Sequence, residues 1–148
     1  MPFQKMTIYD IPVIAPYFRF VTTNTCDFTV GGMFMWRDYF HMAWQVEDGV
    51  LYSTLTGEDG NLYYNLPLGE DIPAGLRQCL ARHPERPVRF CTIPEADLPL
   101  FRALPGRVEI TEEENFADYL YSAEEMSQLS GKKFSGQRNH IRDRKSVV

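Results

Sequence analysis

With 148 residues, 44% of them hydrophobic and 24% charged, the chain has the size of one domain and the composition of a globular protein. Ten Phe and eight Tyr separate it from disordered chains, and no apolar run approaches the ~20 residues of a membrane-spanning helix. The net charge of −5 is unevenly placed: Lys132 to the end carries +5 and residues 1–131 carry −10, a pattern that points to an anionic partner for the basic tail.

The N-terminus, MPFQKMTIYD, lacks the basic flank and apolar core of a signal peptide, so a cytoplasmic protein is expected. Asp10 is the expected N-cap of a helix over residues 11–20, with Ile11, Ile14, Phe18 and Val21 at helical spacing. Pro16 makes that helix short or kinked. Residues 22–27 read as a polar loop. From Phe28 to Phe40, the residues Phe28, Val30, Met33, Phe34, Trp36 and Phe40 form one broad helical face. Gly31 and Gly32 weaken that helix by roughly 1 kcal/mol each relative to Ala, or mark a close backbone approach.

From His41 the hydrophobic period changes to two. HMAWQVE, the turn Asp48-Gly49, VLYSTLT, a second turn signal in EDGN, and NLYYNLPL predict a three-stranded antiparallel meander over residues 42–66. A helix follows over residues 69–83, with Asp71 as N-cap and Leu76, Cys79 and Leu80 inward. VRFCTI is read as a central strand, PEADLPLFRAL as a helix interrupted by Pro99, and RVEIT and NFADYLYS as two further strands. The fold class is therefore α+β (mixed α/β): a mixed sheet with an antiparallel meander, flanked by helices.

Ser122 opens a helix through a capping box with Glu125, Met126 and Leu129 give its buried side, and Gly131 stops it. Phe134 anchors the loop that follows, and Ser135-Gly136 open a last helix, QRNHIRDRK. A helix start offers unbonded N–H groups and a positive dipole end, both suited to an anion. Lys132, Lys133, Arg138 and Asn139 are the candidate binding residues for a phosphate-bearing ligand, which could be a nucleic acid, a lipid head group or a cofactor. The bland alternative is that these residues hold the helix through bonds to nearby loops and acids. His140 is a candidate general base. Cys26, Cys79 and Cys91 are odd in number and far apart, as reduced thiols usually are, and no spacing resembles a zinc site.

Gln128 and Gly131 fill the first and fourth positions of the Q/R-x-x-G-x-G/A loop by which GNAT acyltransferases cradle the pyrophosphate of acyl-CoA; Lys133 departs at the sixth. Tyr121-Ser122, Leu129-Ser-Gly131-Lys-Lys133 and Arg138-Asn-His-Ile141, with Phe28, Trp36, the Asp48-Gly49 hairpin and Leu66-Pro-Leu-Gly69, resemble a bacterial family related to the C-terminal domain of phosphatidylglycerol lysyltransferases. That resemblance implies a tandem of two GNAT-like halves, of which residues 1–148 form a single domain corresponding to the first. It implies an acyl- or aminoacyl-transferase acting with a CoA ester, an aminoacyl-tRNA or a phospholipid. It also implies that this half alone is inactive, with a second GNAT-like half or another copy of the chain as partner. The alternative is a non-catalytic module, or a remnant, whose basic helix docks an anionic partner.

Overall fold

A computed structural model describes residues 2–23, 25–112 and 120–145. The chain divides into two compact units, Met1–Phe116 and Ala117–Val148.

The first unit is α+β. Its sheet runs β1 (Gln4–Lys5), β2 (Ala43–Glu47), β3 (Val50–Thr56), β4 (Leu62–Tyr64) and β5 (Arg89–Phe90), in that spatial order. The first four are antiparallel neighbours, so the meander forms as its period-two pattern predicts; β5 joins β4 in parallel. Glu47 pairs with Val50 across a two-residue turn in which Asp48 (φ 49°) and Gly49 (φ 75°) are both left-handed. That geometry matches the twist of the strands it joins, and it is why Asp-Gly signals a hairpin.

Alternation along the strands gives the sheet two apolar faces. Trp44 and Leu51 pack in one cluster with Met6, Ile14, Met33, Met42 and Leu68. Val50, Tyr52 and Tyr64 pack in another with Cys79 of α3 (Ile72–Ala81). A third cluster joins Phe28, Leu66 and Leu76 to Phe101 of α4 (Leu98–Arg102).

Local signals explain the helices. Pro16 converts α1 (Ile11–Ile14) into a 3-10 helix over Ala15–Phe20, the expected kink. Asp10 does not cap α1. Its carboxylate instead accepts the Thr7 N–H (2.7 Å) and hydroxyl (2.8 Å), closing the turn before it. Thr29 caps α2 (Val30–Trp36) by accepting the Gly32 N–H at 2.9 Å. Gly32 is the close-approach glycine: a Cβ there would lie 2.5 Å from the Cys26 carbonyl oxygen, whereas one at Gly31 would meet nothing within 4 Å. Asp71 caps α3, accepting the Ala74 N–H at 2.8 Å.

Two strand expectations are corrected. VRFCTI is not central. It contributes only Arg89–Phe90 to the sheet, at its edge among the described residues, and Thr92 turns left-handed (φ 53°) and ends the pairing. RVEIT forms no strand. It follows Gly106 (φ 96°), pairs with nothing among the described residues, and leaves Val108 and Ile110 exposed. NFADYLYS lies largely outside the described residues, and its last residues, 120–122, carry no strand.

The second unit holds α5 (Ala123–Gln128), a 3-10 turn (Lys132–Phe134) and α6 (Ser135–Lys145). Ser122 caps α5, accepting the Glu125 N–H at 3.4 Å. The reciprocal half of the expected box is absent, because the Glu125 carboxylate accepts Lys133 instead. Leu129, left-handed at φ 47°, ends the helix two residues before Gly131. Met126 is 44% exposed rather than buried, and Phe134 is buried at 5%.

Candidate functional site

The candidate residues of the basic segment separate by what they touch. Lys133 Nζ lies 2.6 Å from Glu125 Oε1, a pair across the α5–α6 turn. Both partners are substantially exposed, so the pair contributes little stability and mainly sets geometry. The Arg138 guanidinium donates to the carbonyls of Leu129 and Gly131, the latter at 2.8 Å, and so satisfies acceptors left over where α5 ends. Lys132, Asn139 and His140 are exposed and have no polar partner among the described residues. Among these candidate residues, Lys132, Asn139 and His140 thus stand beside a framework built by Lys133 and Arg138. Gln128 lies in the last turn of α5, not in a strand-to-helix loop.

The first unit contains a second concentration of polar groups. A concavity of about 650 Å³ opens on the sheet face that carries Gln45, Thr54 and Tyr64. Strand parity explains who lines it. Ala43 faces Thr54, Thr54 faces Tyr64, and Gln45 faces Tyr52, all on one side of the pleat. Phe3 closes one flank and Leu62 the other, and Gln78, Arg82 and His83 come from the end of α3 and the residues after it. Gln45 (6% exposed) and Thr54 (4%) are buried polar residues on its floor.

Arg82 is held firmly here. Its guanidinium pairs with Glu47 and lies over the rings of Tyr52 (4.3 Å) and Phe3 (5.3 Å). Its Nη1 is shut from solvent and finds no acceptor among the described residues. The Tyr64 hydroxyl is 2.9 Å from His83 Nε2, and His83 Nδ1 receives the Arg86 guanidinium at 3.0 and 3.2 Å. Burial, then the nearby Arg86 and Arg82 charges, push the His83 pKa down, which favours the neutral ring. Burial and the proximity of Cys79 push Tyr64 up, partly offset by the nearby Arg82 guanidinium.

Two of the three cysteines, Cys79 and Cys91, are poor nucleophiles. Burial pushes the Cys79 thiol up to about 12 and raises Cys91 as well, so neither supplies thiolate near neutral pH. No disulfide joins the three. Among the described residues, no cluster of three or more His, Cys, Asp or Glu side chains is placed to hold a metal, and no helix is long and apolar enough to cross a membrane. The sequence reading missed the Glu47–Arg82–Tyr64–His83 group. Its only advance signal was strand parity, which put Gln45 and Tyr64 on one side of the sheet; the arrival of Arg82 and His83 over that side depends on how α3 crosses it.

A family model described as phosphatidylglycerol lysyltransferase, C-terminal, matches residues 18–146. Among solved structures, a conserved protein of unknown function from Bacteroides thetaiotaomicron VPI-5482 is similar over 99% of this chain, with 29% identity and a TM-score of 0.71. The similarity takes in 51% of that protein, so the present chain spans about half its length. No curated protein matches the sequence.

Proposed function

This chain belongs to the phosphatidylglycerol lysyltransferase C-terminal family, and from that premise we propose that it is one GNAT-like unit of an acyl- or aminoacyl-transferase. Its donor or acceptor carries phosphate: a CoA ester, an aminoacyl-tRNA or a phospholipid. The observation that carries this reading is the family match itself, which takes in the whole basic segment from Lys132 to Lys145. A transferase of this kind must hold a polyanionic carrier while its acyl group moves, and cations together with unbonded helix N–H groups serve that purpose. Lys132 and Asn139 contact the carrier; Lys133 and Arg138 keep the segment in shape through Glu125 and the Leu129 and Gly131 carbonyls. His140, exposed on α6, is the candidate base that accepts the acceptor's proton. The second half of the longer relative suggests where the remaining chemistry is supplied, either by a second GNAT-like unit or by a second copy of the chain.

One observation favours a second reading, a binding module that docks an anionic partner without turnover. Two of the four candidate binding side chains, Lys133 and Arg138, already bond to the protein itself, and no reacting group lies against His140 among the described residues. The readings separate in one experiment. The chain is incubated with aminoacyl-tRNA and phosphatidylglycerol vesicles, and separately with acyl-CoA, while donor loss and salt-dependent binding are followed. Donor consumption that Lys132→Ala reduces supports the transferase. Binding without turnover supports the docking module, with Lys132→Ala lowering the log-affinity against log-salt slope by about 0.7–0.9 for one lost phosphate contact. Neither binding nor turnover removes both.

A further inference from the structure

Every residue that lines the concavity on the second face of the sheet belongs to Met1–Phe116, whereas the basic segment belongs to Ala117–Val148. Hydrogen-bond accounting identifies the group it lacks. Arg86 can only donate, so its approach to His83 Nδ1 leaves that nitrogen as an acceptor. The neutral ring then carries its proton on Nε2 and donates it to the Tyr64 oxygen 2.9 Å away. The Tyr64 hydroxyl proton must point elsewhere, and it has no acceptor among the described residues. Arg82 Nη1, buried behind the lining, is a second donor without an acceptor among the described residues. Buried donors of this kind normally find partners, and leaving one unmade costs about 1–3 kcal/mol.

The missing group is therefore an oxygen acceptor. Charge and shape narrow it further. Glu47 already neutralises most of the Arg82 charge, which suits a monoanion better than a dianion such as phosphate. Phe3, Ala43 and Leu62 supply apolar wall for an organic body, and a volume of about 650 Å³ is in the range of small-molecule sites.

We propose that this concavity binds a small organic carboxylate, one oxygen accepting the Tyr64 hydroxyl proton beside the Arg82 guanidinium, with the organic body against Phe3 and Leu62. Gln45 and Thr54 form the polar floor under it.

The test is a titration of the whole chain with benzoate, butyrate, inorganic phosphate and neutral benzamide, followed through the ring signals of His83 and Tyr64 by NMR. Benzoate and butyrate are expected to saturate at around millimolar concentration, as fragments do. Phosphate and benzamide are expected to bind at least about tenfold more weakly, and Tyr64→Phe to weaken benzoate by about tenfold, the loss of one charge-assisted hydrogen bond. Three results would overturn the site: no saturable shift at His83, equal binding of phosphate or benzamide, or unchanged affinity in a folded Tyr64→Phe chain. If that variant does not fold, nuclear Overhauser contacts from benzoate to Phe3 and Thr54 of the unaltered chain decide, their presence supporting the site and their absence removing it. Lys132→Ala leaves all four titrations unchanged, which separates this site from the basic segment.

Discussion

Arg82, at the C-terminal end of α3, and Arg138, in the first turn of α6, are held by the protein in two different ways. Arg82 lies between the rings of Tyr52 and Phe3 and pairs with Glu47, thirty-five residues away in sequence. Arg138 stands exposed and bonds to carbonyls seven and nine residues before it. The contrast extends to the units they belong to. In Met1–Phe116, side chains are positioned by a packed sheet with apolar clusters on both faces. In Ala117–Val148, they are positioned by caps, a left-handed turn and short-range bonds. A position fixed by many distant neighbours is changed only at a cost to the whole fold, whereas one fixed by two nearby carbonyls can be changed almost locally.

The largest expected effect comes from breaking the packed side of this contrast. Leu76 is completely buried, in the cluster with Phe28, Leu66 and Phe101. Leu76→Ala removes its methyls and leaves a cavity, with an expected loss of about 2–5 kcal/mol in urea unfolding. Met126→Ala, the matching truncation on exposed α5, should change the same measurement by less than about 0.5 kcal/mol. Equal losses would mean that the second unit is packed as tightly as the first.

A sharper comparison lies within one helix. Gly32→Ala drives a Cβ to 2.5 Å from the Cys26 carbonyl oxygen, a backbone atom with little room to yield. The expected cost is about 1–3 kcal/mol. Gly31→Ala, one residue earlier and open to solvent, should stabilise by about 0.4–1 kcal/mol through reduced unfolded-state entropy. Thermal unfolding of the two variants should therefore move in opposite directions; movement in the same direction would remove the close-approach account of Gly32.

Those glycines also mark how far the sequence could be read. The pair announced either a weak helix or a close approach, and the close approach is present at Gly32. The meander and the α3 cap were legible because their signals are local: Asp48-Gly49 fits only a left-handed turn, and Asp71 stands three residues before the N–H it caps. RVEIT was misread because alternation alone does not supply a neighbouring strand to pair with. Asp10 was misread because a carboxylate at a helix start can serve the turn behind it as readily as the helix ahead. The basic segment was visible as charge. The use of Arg138 to close the end of α5 was not, because it follows from Leu129 turning left-handed where Gly131 was expected to. The Tyr64–His83 pair was invisible because it joins residues nineteen apart through the crossing of a helix over a sheet.

The smallest effect tests whether short-range placement also operates inside the packed unit. The turn at Gly57–Asn61 is held as the second unit is, by exposed bonds between near neighbours. Asp59 Oδ1 accepts the Asn61 N–H at 2.9 Å, and Oδ2 accepts the Asn61 side-chain amide at 2.6 Å and the Tyr63 hydroxyl at 2.8 Å. These bonds favour the charged carboxylate, first through the Asn61 side chain, then its backbone N–H, then Tyr63, and lower the Asp59 pKa from 3.8 to about 2. Because the folded value is depressed, the contribution is fully present above the ordinary carboxylate range and is lost as pH falls through about 2. A carboxyl-carbon NMR titration should place the Asp59 midpoint near 2, and Asn61→Ala should raise it toward 3.8 while the apolar clusters keep their signals. A midpoint already near 3.8 in the unaltered chain would show that the three bonds do not persist in water. A collapse of the whole first unit on Asn61→Ala would show instead that this turn belongs to the packed core, and the division between the two kinds of placement would fall elsewhere in the chain.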